Sequence, residues 1–167
     1  MYKDSNEIAY YLCSDKINDL IILPIEDNEK VVPVLACHDR ALRVLDESML
    51  IYEAEVAGPP KTMSLYNRDG GFTNREVLYG TSDGKCGLIE LSLEEPVPKW
   101  ELGNEKRLAG ITSIDSFDVT NDGVMDLIVS REDGIIEVYV YDSIDQPYLK
   151  YTHVIKTLKF EILSLFL

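Results

Sequence analysis

The chain has 167 residues, 46% of them hydrophobic and 28% charged, and 30 acidic against 16 basic side chains leave a net charge of −14. That length suits one ordinary domain, and the apolar content argues against wholesale disorder. A surface this acidic disfavours nucleic-acid binding and adsorption to anionic lipid, both of which need clustered Lys and Arg.

The N-terminus carries no apolar stretch of the signal-peptide kind, and Leu20-Ile21-Ile22-Leu23 is cut by Pro24, far short of a membrane span. The first strand is expected over Ile17 to Leu23, followed by the acidic loop Glu26 to Glu29. Val31 to Cys37 and Ala41 to Leu45 read as a hairpin across His38-Asp39-Arg40. Leu50 to Val56 alternates Ile51, Glu53 and Glu55 with Tyr52, Ala54 and Val56, so one face is wet. Gly58-Pro59-Pro60 then stops any strand and forces a turn or an extended crossing.

The same grammar returns twice. Val77 to Thr81, the turn Ser82-Asp83-Gly84 and Lys85 to Leu91 form a second hairpin, with Lys99 to Leu102 behind it. Asp126 to Ser130, the turn Glu132-Asp133-Gly134 and Ile135 to Tyr141 form a third, followed by Tyr148 to His153. The turn aspartates Asp39, Asp83 and Asp133 lie 44 and 50 residues apart. Asp-Gly between alternating runs is a hairpin signal, because Gly takes the positive φ that the turn demands. Repeats of roughly 40–50 residues with four strands each are the period of β-propeller blades.

The expected fold class is therefore all-β: a partial β-propeller over residues 9–153, with four-stranded antiparallel blades at 17–56, 62–102 and 111–153. Residues 154–167 read as an apolar tail, either an incomplete next blade or a divergent end. Trp100 is expected to pack between neighbouring blades. Three blades cannot close a ring, so apolar blade faces should stay open and make the isolated chain associate.

Candidate chemistry is sparse. Asp118-Val119-Thr120-Asn121-Asp122-Gly123-Val124-Met125-Asp126 is similar to the acidic loop of integrin-type propellers, with oxygens at alternate positions that suit a hard cation. The calcium ligands would be Asp118, Thr120, Asp122, the Val124 carbonyl and Asp126, although Thr120 stands where a carboxylate or amide is usual. The plain alternative is a turn in which these side chains bond the backbone. Gly80 to Lys85 is one residue short of a phosphate loop and sits between two strands, so it reads as a hairpin. His38 and His153 are the two histidines, and no nucleophile elbow or HExxH motif accompanies them. Cys13, Cys37 and Cys86 are too few and too scattered for a disulfide framework or zinc knuckle, and are expected as free thiols in a reducing compartment. The absence of Asn-x-Ser/Thr agrees with an intracellular location. The charged stretches Glu26 to Lys30 and Asn104 to Arg107 fit solvated loops or a docking patch on a rim. No catalytic residue and no cofactor is assigned.

Several segments, taken in order, resemble one family: Ser14 to Asp19, Pro33 to Cys37 with Asp39-Arg40 and Leu42 to Leu45, Gly58 to Pro60, Gly80 to Lys85, Lys99 to Glu101, Asn104 to Lys106, and Ile114 to Val124 with Glu137 to Tyr139. Together they resemble the N-terminal propeller of the family of the seventh Bardet–Biedl syndrome protein. The resemblance implies a non-enzymatic subunit of the BBSome, a coat that moves membrane proteins into and out of cilia. It further implies partnership with the second Bardet–Biedl syndrome protein and other subunits, assembly helped by chaperonin-like proteins, and residence in the cytoplasm, the ciliary basal body and, peripherally, the ciliary membrane. The two rival readings are a calcium-stabilised, integrin-like propeller binding module and an enzyme using two carboxylates in a propeller cleft.

Overall fold

Strands form where β-branched and aromatic residues alternate, and the turns fall where Asp and Gly interrupt them. The computed structural model describes residues 2–3, 6–7, 10–25, 30–66, 75–103, 109–141 and 146–154. A short pair, β1 (Tyr2–Lys3) and β2 (Asn6–Glu7), precedes three antiparallel four-stranded sheets. The first holds β3 (Ile17–Ile25), β4 (Lys30–Cys37), β5 (Ala41–Asp46) and β6 (Met49–Glu55). The second holds β7 (Pro60–Tyr66), β8 (Glu76–Thr81), β9 (Cys86–Glu90) and β10 (Val97–Leu102). The third holds β11 (Ile111–Phe117), β12 (Asp126–Arg131), β13 (Ile135–Val140) and β14 (Tyr148–Val154). In each sheet the spatial order equals the chain order, and the first strands of successive sheets, β3, β7 and β11, lie side by side. This is the blade arrangement of a propeller.

Two expectations need adjustment. Gly58-Pro59-Pro60 does not hold the next strand off, since β7 opens on Pro60 itself. Pro at the first position of a strand is tolerated because its missing N–H is not yet needed by the ladder. Val154, assigned to the tail, ends β14. The loops 26–29 and 104–107 and the remainder of the tail lie outside the described residues.

The repeat is carried by backbone geometry. Each blade's hairpin has one residue of positive φ at the same place: Arg40 at 69°, Gly84 at 87° and Gly134 at 79°. In each blade the residue two before it donates its N–H to the carbonyl just before the innermost strand: His38 to Lys16, Ser82 to Pro59 and Glu132 to Gly110, all 2.9 Å. Each innermost strand also bulges at its start, between Ile17 and Asp19, Pro60 and Thr62, and Ile111 and Ser113. A bulge increases local twist, which fits a strand that must follow a propeller axis.

Two cores separate the blades. Leu23, Val34, Ala36, Leu42 and Val44 of the first blade meet Met63, Val77, Tyr79, Ile89 and Leu91 of the second. Leu78, Leu88 and Trp100 of the second meet Ile111, Ile114, Leu127 and Val129 of the third. In β8, Val77 and Tyr79 thus point one way and Leu78 the other, which is strand periodicity with both faces covered. Gly80 marks how closely the second and third blades approach, since a β-carbon there would lie 2.5 Å from Ile111 Cγ2.

Trp100 is 8% exposed and belongs to the second core, as expected of it. Trp100→Ala should cost about 3–5 kcal/mol in denaturant unfolding. Native emission typical of a solvent-exposed indole would contradict the packing. The hairpin turns give a prediction of opposite signs. Gly84→Val should destabilise by about 1 kcal/mol or more, because a β-branched residue resists positive φ. Arg40→Gly should be neutral or stabilise by up to about 1 kcal/mol, because it relieves that strain. Paired thermal melts check both.

Candidate functional site

The acidic loop joins β11 to β12. Asn121 at φ 58° and Gly123 at φ 87° fold it back sharply. Asp118 accepts the N–H groups of Asp122 (3.2 Å) and Gly123 (3.0 Å), and Asp122 accepts that of Val124 (2.8 Å). Asp126, 1% exposed, accepts Val119 N and Thr120 N through one oxygen, both at 3.0 Å. Its other oxygen and the Thr120 hydroxyl are buried without a hydrogen-bond partner. The carboxylates named as calcium ligands are thus turned onto backbone amides. Among the described residues, no group of three or more His, Cys, Asp or Glu side chains is arranged to hold a metal ion.

Gly80 to Lys85 folds as a hairpin. Thr81 N and Thr81 Oγ1 donate to the Lys85 carbonyl at 2.8 and 2.9 Å, and Lys85 N returns a bond to Thr81 Oγ1 at 2.8 Å. The amides of Thr81, Gly84 and Lys85 are committed within the turn, and that of Ser82 to the Pro59 carbonyl. His38 sits on the first blade's hairpin and His153 on β14 of the third, both exposed, so they belong to different sheets.

What the fold does assemble is a set of polar clamps between blades. Asn18 Nδ2 donates to the Pro60 carbonyl at 2.8 Å, and Asp19 accepts Met63 N at 2.7 Å. Tyr52 donates to the Ser92 carbonyl at 2.7 Å, and Tyr66 to that of Met125 at 3.0 Å. Lys61 pairs with Glu132 across the second gap. The most buried clamp is Arg131, whose Nε donates to Glu137 at 2.7 Å while Nη1 reaches the carbonyls of Gly84 (3.0 Å) and Ala109 (3.1 Å). Tyr139 donates to the same Glu137 oxygen at 2.9 Å. Burial pulls the Arg131 pKa down, but Glu137 outweighs it and the net direction is up. In the first blade Arg43, 3% exposed, plays a related part, reaching Asp39 at 2.6 Å and Glu53 at 3.0 Å. The hydrogen bond from Arg43 holds the Asp39 carboxyl below its usual range. None of these clamps was anticipated. The available signal was a charged residue inside an otherwise apolar strand, as with Arg43 in Ala41-Leu42-Arg43-Val44-Leu45.

The remaining feature is an open apolar face. The first blade's other side shows Leu20, Ile22 and Val31, which are 52%, 50% and 61% exposed. With Ile17, Pro33 and Leu45 they line a groove of about 650 Å³, edged by the ion pair of Lys30 with Asp46 at 2.7 Å. It is the mirror of the face that the second blade covers, on the same two strands. A sheet apolar on both sides, stacked on one side and bare on the other, is a blade awaiting a neighbour.

The three sheets therefore define a segment of a β-propeller. A family model described as the BBS7 beta-propeller matches residues 1–158, and the chain belongs to that family. It is 49% identical over 150 residues to the mouse "BBSome complex member BBS7", and 34% identical over 151 residues to the Caenorhabditis elegans "BBSome complex member bbs-7". These matches cover 90% and 89% of the chain but 21% of either relative, so the chain spans about a fifth of their length.

Removing one partner of the buried pair, as in Glu137→Leu, should cost about 3–5 kcal/mol, because it strands the Arg131 charge. Arg131→Met combined with Glu137→Leu should lie closer to the parent than either single change. A double-mutant cycle in urea measures this. For the acidic loop, calorimetry with and without millimolar calcium should give the same melting temperature. A bound ion at 100 times its Kd would add about 2.7 kcal/mol and be plain in the scan.

Proposed function

We propose that the chain is a non-enzymatic scaffold segment of the BBSome, acting in ciliary membrane-protein trafficking. The observation that carries this is the 49% identity to the mouse complex member across 90% of the chain. The bare apolar face on the first blade supports it, because a surface of this kind works by being covered. The polar side chains support the non-enzymatic part: Asp19, Asp118 and one oxygen of Asp126 hold backbone amides, and Glu137 holds Arg131. By the same reading, its partners are the other BBSome subunits, especially the second Bardet–Biedl syndrome protein, with chaperonin-like factors in assembly, and it acts in the cytoplasm, at the basal body and peripherally at the ciliary membrane.

A chimera tests it. This chain replaces the matching 150-residue stretch of mouse BBSome complex member BBS7, and recovery of the other subunits by affinity capture from ciliated cells is measured. The chimera should recover them at about the level of the mouse protein. The same chimera with Ile22→Asp should recover several-fold less. A folded chimera that captures none of them would overturn the proposal.

A further inference from the structure

Two of the three cysteines lie together in a place the blade architecture does not explain. Cys13 precedes β3, and its Sγ lies 3.6 Å from that of Cys37, the last residue of β4 and 24 positions further on. Cys37 is fully buried, whereas Cys13 is partly accessible. The segment that carries Cys13 is held on the blade from several directions. Tyr11 and Cys13 pack on Leu35, Cys37 and Leu45, Arg43 Nη2 reaches Ser14 Oγ at 3.3 Å, and the Lys16 carbonyl accepts His38 N.

We propose that Cys13 and Cys37 form a reactive dithiol that a small-molecule disulfide, such as oxidised glutathione, closes to an intramolecular disulfide. The bonded distance is about 2.05 Å, so closure asks for roughly 1.5 Å of sulfur movement, within reach of side-chain rotation. In the first step the Cys13 thiolate attacks a sulfur of oxidised glutathione, forming a mixed disulfide and releasing one glutathione thiolate. In the second the Cys37 thiolate attacks the Cys13 sulfur and expels the second glutathione. Cys13 and Cys37 are oxidised, one glutathione disulfide is reduced, and the two thiol protons end on the two glutathione thiols. Accessible Cys13 is the entry point and buried Cys37 the resolving thiol. Burial pushes the Cys37 thiol up to about 11, with Arg43 beside it pulling the other way. A transient bond of this kind is the form that disulfides take in reducing compartments. Once closed, it staples the segment leading into β3 onto β4, at the edge of the open groove that Tyr11 also lines.

Cys86 provides the internal control. It is 1% exposed, lies in the second core, and burial pushes its thiol up to about 12. The experiment treats the 167-residue chain with oxidised glutathione, alkylates free thiols without denaturant, and measures intact mass and unreduced tryptic peptides. Molecules with unalkylated Cys86 are the folded population. In these the expected product has lost two hydrogens, carries no glutathione, and links peptide 4–16 to peptide 31–40. Cys37→Ser should instead retain glutathione on Cys13, and Cys13→Ser should leave Cys37 unmodified. Wild-type chain that keeps glutathione on Cys13 with Cys37 unlinked, while Cys86 stays protected, would overturn the proposal. So would Cys86 alkylated as fast as Cys13, or a cross-link through Cys86, since either denies the geometry on which it rests.

Discussion

A blade in this chain is a sheet with apolar side chains on both faces, and that single constraint organises the rest. An ordinary antiparallel sheet alternates inward apolar with outward polar residues and needs one cover. Here β8 buries Val77 and Tyr79 on one side and Leu78 on the other, so it requires a neighbouring sheet on each. The second blade has both neighbours. Among the described residues the first has one, and its other side carries Leu20, Ile22 and Val31 in the open. The groove and the packing of Tyr11 and Cys13 against Leu35 follow from that unmet requirement.

The blades agree in backbone more than in side chain. The positive-φ turn position, the 2.9 Å hydrogen bond closing each hairpin onto the innermost strand, and the starting bulge recur in all three. The side chains at matching places differ, and each solves a local problem. Four residues beyond each turn aspartate stand Arg43, Gly87 and Glu137. Arg43 ties to Asp39 and Glu53, and Glu137 to Arg131. At Gly87 the absent side chain leaves room for the Tyr79 hydroxyl, which reaches Glu101 at 2.9 Å. Each arrangement satisfies a polar group inside a packed interface, where an unmade hydrogen bond is costly.

Much of this architecture was legible because strand and turn signals are local. Asp83-Gly84 and Asp133-Gly134 announced their hairpins, and the alternation of Glu53 and Glu55 with Ala54 and Val56 gave the orientation of β6. Even Asp39-Arg40, without glycine, fell in register, since Asp39 bonds forward to Arg43 and steadies the strained turn. The clamps were not legible. Arg131 meets Glu137 across a hairpin and the Gly84 carbonyl 47 residues away, and such partners emerge only when blades stack. The pairing of Cys13 with Cys37 was hidden for the same reason, because spacing in the chain says nothing about a segment folding back over a sheet. The acidic loop shows the converse: its pattern suits a cation, yet Asp118, Asp122 and one oxygen of Asp126 accept the turn's own amides.

The central claim is that a bare blade face remains after the three blades have stacked. Size-exclusion chromatography with light scattering, at physiological salt, addresses it directly. The net charge of −14 opposes association, but salt confines that repulsion to about 8 Å, and apolar contact acts inside this range. The account predicts concentration-dependent association of the 18.9 kDa chain, weakened when Leu20 and Ile22 are both replaced by Asp. A monodisperse monomer that melts cooperatively at the same salt would contradict an open propeller face and favour a closed β-sandwich.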